Sequence, residues 1–217
     1  MNWEQLLSTQ RYRTGKIAKS NGKSDLRSEF EKDYHRIIGS ASFRRLQDKT
    51  QVFPLDKSDF IRTRLTHSLE VSSFAKSLGQ NIGENILTYK KDPTFTVRMK
   101  EDICNVLQCA GLIHDIGNPP FGHFGEDAIR EWFRDHLHAL EYHGRPLDEI
   151  LTPQMREDLY HFEGNAQAFR LVTKLHYLVD DRGMNLTYAL LNTIVKYPVT
   201  SLDIEPKSRD IKKHKLG

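Results

Sequence analysis

The chain has 217 residues, of which 38% are hydrophobic and 28% are charged. This length and balance are typical of a globular protein with a buried core, and they exclude a largely disordered chain. The formal net charge of +3 is too small to require a nucleic acid partner, and no apolar run reaches the length that a membrane span needs.

We divide the chain into three parts, a polar segment at 1–28, a helical core at 29–198 and a polar, basic tail at 199–217. Apolar residues recur at helical spacing from Ser28 to Leu46, which predicts helix there. From Gln47 to Phe60 the chain carries Pro54 and several charged residues, which indicates a loop or a short β-ribbon.

Two strong helices should follow, and each carries a histidine on its apolar stripe. Thr66 is the expected cap of the first, whose stripe consists of His67, Val71, Phe74, Ala75, Leu78, Ile82 and Ile86. After a break at Pro93, the stripe of the second consists of Ile103, Val106, Leu107, Ala110 and His114. Both histidines should therefore point into a helical bundle, where side chains from separate helices can build a metal site.

The sequence pattern also predicts helices in the rest of the core. Helices are predicted at 125–140, 163–178 and 186–196, with a polar connection at 141–155 and Asn185 as a cap. Cys104 and Cys109 lie on different faces of one helix, so we expect free thiols in a reducing compartment, the cytoplasm. The expected fold is all-α.

His114 and Asp115 stand side by side in the segment GLIHDIGNPPFGHFGE. Because the glycine- and proline-rich turn bends the chain there, both side chains can reach one cation, with His67 as a third ligand. A buried aspartate is costly unless it is paired or binds metal, although His67 taken alone is more often an ordinary core histidine. The three residues predict a site for a divalent metal (Mn, Mg, Fe, Ni or Zn) and a metal-dependent phosphohydrolase.

His123 and Glu126 lie three residues apart at the start of the next helix, so the carboxylate can orient the imidazole. We expect His123 to act as a general acid or base, with Phe121 and Phe124 packed beneath the pair. The alternative is a helix-capping histidine beside an exposed glutamate.

Other polar side chains are candidates for binding phosphate or sugar. Arg64 lies at a helix start, where the guanidinium and the helix dipole both favour an anion; otherwise it is a surface cation. Taken one by one, the remaining signals are weak, namely Gln51, Asn165, Lys196 and Tyr197.

The chain resembles the deoxyguanosine triphosphate triphosphohydrolase branch of the HD-domain superfamily in five segments, SASFRRLQDKTQVFP, RTRLTHSLEV, GLIHDIGNPPFGHFGE, FEGNAQAFRLVT and VKYP. The resemblance implies an all-helical HD bundle that hydrolyses a deoxynucleoside triphosphate, dGTP foremost, to the deoxynucleoside and tripolyphosphate. It implies metal binding by His67, His114 and Asp115, and catalysis by His123 and Glu126. It implies substrate binding by Gln51, Val52, Arg64, Asn165, Lys196 and Tyr197.

The chain departs from the family's pattern at the metal site. The family has a fourth protein ligand, an aspartate in a later helix, and no matching segment follows Tyr197. Family chains are also longer, so the resemblance covers their amino-terminal part and we expect a bundle truncated at its carboxyl end. We therefore expect impaired activity unless a partner supplies the carboxylate, and assembly as a homo-oligomer or with a complementing chain.

Three other interpretations stay open at this point. Another HD phosphohydrolase would act on nucleoside monophosphates, cyclic dinucleotides or alarmones. A non-catalytic subunit would keep the pocket and sense nucleotides, or dock on a complete paralogue. Binding of single-stranded nucleic acid has weak support, since basic patches with aromatic residues occur without a recognised motif.

Overall fold

The computed structural model describes residues 2–12, 25–51, 58, 60–177 and 183–215. Within these ranges the helices are α1 (Trp3–Leu6), α2 (Glu29–Ile38), α3 (Ala41–Arg44), α4 (Arg64–Asn85), α5 (Val97–Ile113), α6 (Gly122–His136), α7 (Leu147–Ile150), α8 (Pro153–Tyr160), α9 (Gly164–Arg170) and α10 (Tyr188–Ile194). Two helices continue into π-helical turns, at Ile86–Lys90 and Leu171–Leu175. Short 3₁₀ turns lie at Arg45–Asp48, Leu137–Ala139, Ser201–Asp203 and Ile211–Lys213.

The strands of the described residues form one small antiparallel hairpin, β1 (Glu141–Tyr142) and β2 (Arg145–Pro146). The expectation of an all-α fold is confirmed. No helix in the described part of the chain is both long and apolar enough to cross a bilayer.

Two expected helix caps were wrong by a few residues. Thr63 caps α4, since its extended backbone lets its hydroxyl accept a hydrogen bond from the backbone N–H of Thr66. Thr187 caps α10 in the same way. Asn185 has a left-handed backbone with φ 52° and cannot fill the extended cap position.

The apolar core lies where α2, α5, α9 and α10 meet. Its fully buried members include Ile37, Leu112, Ile113, Ile116 and Leu190. Cys104 and Cys109 are also buried, and both thiols are free, as expected. This core holds the end of α5, which carries the HD dipeptide, in a fixed place.

Apart from Arg64 in the first turn, the residues that α4 buries are small, and they include Ser68, Ser72 and Gly79. A Cβ placed on Gly111 of α5 would lie 2.6 Å from the Cα of Ser72, so the two helix backbones approach closely at this point. Small side chains permit this approach, and it brings the amino-terminal half of α4 alongside the end of α5.

The predicted inward stripe of α4 was therefore wrong over much of its length. Phe74, Leu78 and Ile82 are 71%, 59% and 48% exposed, respectively. The close contact through serines and glycines rotates the larger apolar residues away from α5. His67, at the amino-terminal end of the same stripe, is half-buried.

A buried ion pair fixes α10 against the amino-terminal half of the chain. The Asp33 carboxylate is fully buried and accepts a hydrogen bond of 2.5 Å from the Arg11 guanidinium. It also accepts hydrogen bonds from the backbone N–H and the hydroxyl of Thr187, at 3.0 and 2.7 Å. The start of α10, which leads towards Lys196, is thus tied to α2.

Candidate metal centre

His67, His114 and Asp115 form one cluster between α4 and the end of α5. Each offers a ligand atom, and these atoms lie within 4.8 Å of one another. The two imidazole rings meet edge to face with centroids 5.2 Å apart. The expected convergence of two helices on one point is therefore present.

Hydrogen bonding selects the nitrogen of His114 that faces the cluster. Nδ1 lies 2.8 Å from the backbone carbonyl of Gly111, and a carbonyl can only accept, so Nδ1 carries the proton. In the neutral tautomer of this ring the lone pair lies on Nε2, and this atom lies 3.4 Å from Oδ1 of Asp115. A backbone contact of this kind sets the tautomer of a metal-binding histidine.

The surroundings of His67 favour its neutral form. Burial, followed by the charge of His114, lowers the pKa of His67. The neutral imidazole is the form that binds a metal ion.

Arg64 and Asn118 hold the two oxygens of Asp115. The Arg64 guanidinium donates to Oδ2 at 2.7 Å, and the Asn118 amide donates to Oδ1 at 2.8 Å. Arg64 is only 4% exposed, so the interpretation of Arg64 as a surface cation was wrong. Two imidazole nitrogens and one oriented carboxylate are a donor set that fits a divalent cation such as Mn, Fe, Ni or Zn.

His123 and Glu126 form the expected hydrogen bond, with Nδ1 and Oε2 2.8 Å apart. The imidazole is 79% exposed, whereas the carboxylate is 2% exposed. The other carboxylate oxygen accepts a hydrogen bond of 2.8 Å from the backbone N–H of Gly164. The alternative of an exposed glutamate is therefore wrong, and the imidazole is presented to solvent by a buried, fixed carboxylate.

The aromatic residues around this pair do not pack as expected. Phe121 and Phe124 are 53% and 77% exposed, so neither lies beneath the histidine. Phe121 adopts a left-handed backbone with φ 66° just before α6, where the chain reverses after the two prolines. The backbone N–H of Gly164, at the start of α9, and not an aromatic ring, contacts the Glu126 carboxylate.

Two members of the cluster, His114 and Asp115, line the same cleft of about 490 Å³ as His123. Its polar lining consists of His114, Asp115, Asn118, His123, Asn165, Thr193 and Lys196. Two of the predicted substrate residues, Asn165 and Lys196, thus face the same space as the cluster.

The other predicted substrate residues that the structure describes do not line this cleft. Among the described residues, Gln51 and Arg64 do not line this cleft, and Tyr197 lines a separate cavity. The ammonium of Lys196 nevertheless lies 5.3 Å from the centre of the Tyr197 ring, so the two side chains are neighbours. Val52 lies outside the described residues.

Sequence reasoning missed three polar groups beside the site. Asn118 was missed although its spacing of three from Asp115 in a tight turn is a usable signal. Lys49 donates to the backbone carbonyl of Asn118, and burial, followed by the charges of Arg64 and Arg45, lowers the pKa of Lys49. Glu163 is 1% exposed and pairs with Arg130. The two residues lie on different segments, so no local sequence pattern predicts their contact.

Comparison with known proteins agrees with this geometry. A family model described as the HD domain matches residues 64–178, more than half of the chain. A deoxyguanosinetriphosphate triphosphohydrolase-like protein of Listeria innocua is 58% identical over 217 residues, which are 100% of this chain and 46% of that protein. A protein of the same name from Pseudomonas aeruginosa is 47% identical over 220 residues, with the same two coverages.

A protein of Yersinia enterocolitica named deoxyguanosinetriphosphate triphosphohydrolase is 38% identical over 216 residues, which are 91% of this chain and 41% of that protein. The chain spans about half the length of the curated relatives it matches. The resemblance seen in the sequence motifs is thereby confirmed. The chain belongs to the HD-domain family, in the branch of the deoxyguanosinetriphosphate triphosphohydrolase-like proteins.

Proposed function

We propose that this chain is the metal-binding and catalytic region of a deoxynucleoside triphosphate triphosphohydrolase. Its preferred substrate would be dGTP, and its products the deoxynucleoside and tripolyphosphate. The observation that carries this proposal is one cleft lined both by His114 and Asp115 of the three-ligand cluster and by His123, which Glu126 holds. The names of the similar proteins support the substrate class.

His67, His114 and Asp115 would hold the divalent cation, whose identity among Mn, Mg, Fe, Ni and Zn the donor set leaves open. When bound, such a cation supplies Lewis-acid polarisation of a phosphoryl oxygen and lowers the pKa of water. Hydrogen bonds from Arg64 and Asn118 orient the carboxylate of Asp115 for metal binding.

His123 is the proposed proton carrier. Attack of water on the α-phosphorus forms one P–O bond and breaks the bond to the 5′ oxygen of the deoxynucleoside. The attacking water must lose a proton, and the leaving oxygen must gain one. Because Nδ1 of His123 is held by Glu126, Nε2 is the atom that takes or delivers a proton on the cleft side.

Cationic and amide side chains would bind the triphosphate and the sugar. Lys196 and Asn165 line the cleft directly. Arg64 stands behind Asp115 and would offset phosphate charge from there. The proposed substrate set also includes Gln51, Val52 and Tyr197.

The proposal extends to assembly and location. We infer a homo-oligomer or a complementing chain, because the cluster among the described residues offers only three protein ligands. The two free, buried thiols support a reducing compartment, the cytoplasm. We also expect slow turnover by the chain alone, since a fourth carboxylate would add charge and geometric control to the site.

The test is product analysis by phosphorus NMR with the 217-residue chain and Mn²⁺. The substrate panel contains the four deoxynucleoside triphosphates, GTP and dGMP, and His114→Ala is the matched control. We expect tripolyphosphate, formed fastest from dGTP and absent with His114→Ala. The proposal is overturned if no deoxynucleoside triphosphate yields tripolyphosphate above the control, or if dGMP alone is hydrolysed. dGTP binding without turnover would favour a nucleotide-sensing subunit.

A further inference from the structure

We propose that Asn118 is a positioning residue, which orients the metal ligand Asp115 while being held against the backbone of Gly164. This inference rests on the proposed function in one respect only, that the cluster binds a divalent cation. Neither the sequence motifs nor the comparisons assign Asn118 a role.

The Asn118 amide contacts the ligand oxygen that faces the cluster. Its Nδ2 lies 2.8 Å from Oδ1 of Asp115, and this same oxygen lies 3.4 Å from Nε2 of His114. Oδ2, the other oxygen, is taken by Arg64 at 2.7 Å. With one donor on each oxygen, the carboxylate cannot rotate about its Cβ–Cγ bond without losing a hydrogen bond.

The two donors differ in charge, which matters for a metal ligand. Arg64 offsets part of the negative charge of Asp115, whereas the Asn118 amide is neutral. The amide can therefore fix the direction of Oδ1 and still leave that oxygen its charge and a lone pair for a cation.

Asn118 is itself fixed through its backbone. Its N–H donates to the carbonyl of Asp115 at 3.1 Å, and its own carbonyl accepts from the ammonium of Lys49 at 3.0 Å. Pro119 and Pro120 follow and restrict the chain further. The side chain is thus projected from a rigid turn.

The amide oxygen of Asn118 lies against Gly164, the first residue of α9. A Cβ placed on Gly164 would be 2.1 Å from this oxygen and 2.8 Å from Oε1 of Glu126. The N–H of Gly164 donates to that Glu126 oxygen at 2.8 Å. One glycine backbone therefore contacts both the residue that orients the metal ligand and the residue that orients His123.

The same close contact continues one residue earlier in the turn. A Cβ on Gly117 would lie 2.1 Å from the backbone nitrogen of Ala168 and 2.3 Å from the carbonyl oxygen of Gly164. The turn that follows the HD dipeptide, at Gly117 and Asn118, thus packs on the backbone of α9 without intervening side chains. This packing prevents the Asn118 amide from swinging away from Asp115.

The experiment is a calorimetric titration of the 217-residue chain with Mn²⁺ alone. Groups that orient a metal ligand typically contribute about 10- to 100-fold to metal affinity, so we expect Asn118→Ala to bind Mn²⁺ weaker by that factor. Asn165→Ala is the matched control, since this asparagine lines the same cleft but its amide donates to Glu163 and not to a ligand. It should bind Mn²⁺ as the wild type does.

Unchanged Mn²⁺ affinity in Asn118→Ala overturns the inference, and so does an equal loss in Asn165→Ala. Melting temperatures in EDTA check that both variants fold. In turnover assays, the Mn²⁺ concentration that half-activates Asn118→Ala should rise by the same factor as the dissociation constant. A rise in KM for the nucleotide at unchanged Mn²⁺ affinity would instead make Asn118 a substrate contact and overturn the inference.

The Mn²⁺ affinity of Gly164→Ala is a second test of the inference. Although this glycine touches no metal ligand, its variant should also bind Mn²⁺ more weakly, because the new methyl group displaces the Asn118 amide. A folded Gly164→Ala protein with wild-type Mn²⁺ affinity contradicts the inference; where this variant does not fold, Asn118→Ala decides. A wild-type chain that binds Mn²⁺ but hydrolyses no nucleotide overturns the proposed function and leaves this inference in place.

Discussion

Arg64 donates a hydrogen bond to Asp115 across 2.7 Å and so joins the first turn of α4 to the HD dipeptide at the end of α5. The two side chains are 4% and 14% exposed. A largely buried carboxylate needs compensation for its charge, and Arg64 provides it when no cation is bound. The guanidinium therefore belongs to the framework of the site as well as to its chemistry.

Removing this partner should destabilise the fold. Arg64→Met leaves Asp115 with a single neutral donor, and breaking a buried ion pair typically costs about 3–5 kcal/mol. We expect a loss near the lower end of that range in the free energy of unfolding, measured by urea denaturation in EDTA. Asp115 retains some exposure, which moderates the loss.

Arg62→Met is the control for the arginine prediction. Arg62 pairs with Glu70 at 2.9 Å, but the two side chains are 64% and 45% exposed. An exposed pair typically contributes about 0–1 kcal/mol. Equal losses in the two variants would show that the Arg64 contact carries no special stability.

His123→Ala should lose turnover but keep the metal. General acid–base help is typically worth about 10²–10⁴-fold, so kcat for dGTP should fall within that range. Mn²⁺ affinity should not change, since the histidine contacts Glu126 and no member of the cluster. His136→Ala, at the other end of α6, is the control, and wild-type turnover in His123→Ala would remove His123 from the mechanism.

Local patterns predicted the parts of the site that depend on spacing along one segment. The His123–Glu126 contact was predicted from a separation of three residues in a helix. The role of His114 and Asp115 as metal ligands was predicted from their place between an apolar helix and a turn. Contacts between distant segments could not be predicted in this way. Arg64 and Asp115 are 51 positions apart, and no periodicity connects them.

The orientation of α4 shows a second reason why sequence patterns fail. The helix has two faces that could be buried, an apolar stripe with Phe74 and Leu78 and a small-residue face with Ser72 and Gly79. Hydrophobic periodicity favours the first face. Close backbone approach at Gly111 decides for the second, and that approach depends on the partner helix and is not visible within α4 itself.

Acidification should destabilise the fold through His176. This residue is 9% exposed, its Nδ1 contacts the Ser42 hydroxyl at 2.9 Å, and among the described atoms its Nε2 has no partner. Burial lowers the pKa of His176, so the unfolded chain, with a pKa near 6.5, binds the proton more readily than the folded chain does. Stability is therefore complete above about pH 6.5 and falls as the pH drops below that value.

Urea denaturation between pH 5 and 8 measures this effect. His176→Gln keeps a polar side chain near Ser42 but cannot titrate, so its stability should depend less on pH than that of the wild type. His67, whose pKa is also lowered, leaves a residual slope of the same sign in the variant. Parallel curves for the two proteins would exclude His176 as a source of the pH dependence.

The two thiols should be unreactive in the folded chain. Cys104 and Cys109 are 5% and 0% exposed, and burial raises the pKa of both. The thiolate is the reactive form, so a disulfide exchange reagent at pH 8 should modify both only after unfolding. Rapid modification of either thiol in native buffer would contradict the packing of α5.

The most direct test of the metal centre is the Mn²⁺ stoichiometry of the purified chain, compared with that of His67→Ala and His114→Ala. His161→Ala serves as the control, since its imidazole lies beside Glu157 and away from the cluster. We predict one Mn²⁺ per chain in the wild type and the control, and no measurable site in either cluster variant. Wild-type Mn²⁺ binding by His67→Ala would contradict a shared site between α4 and α5.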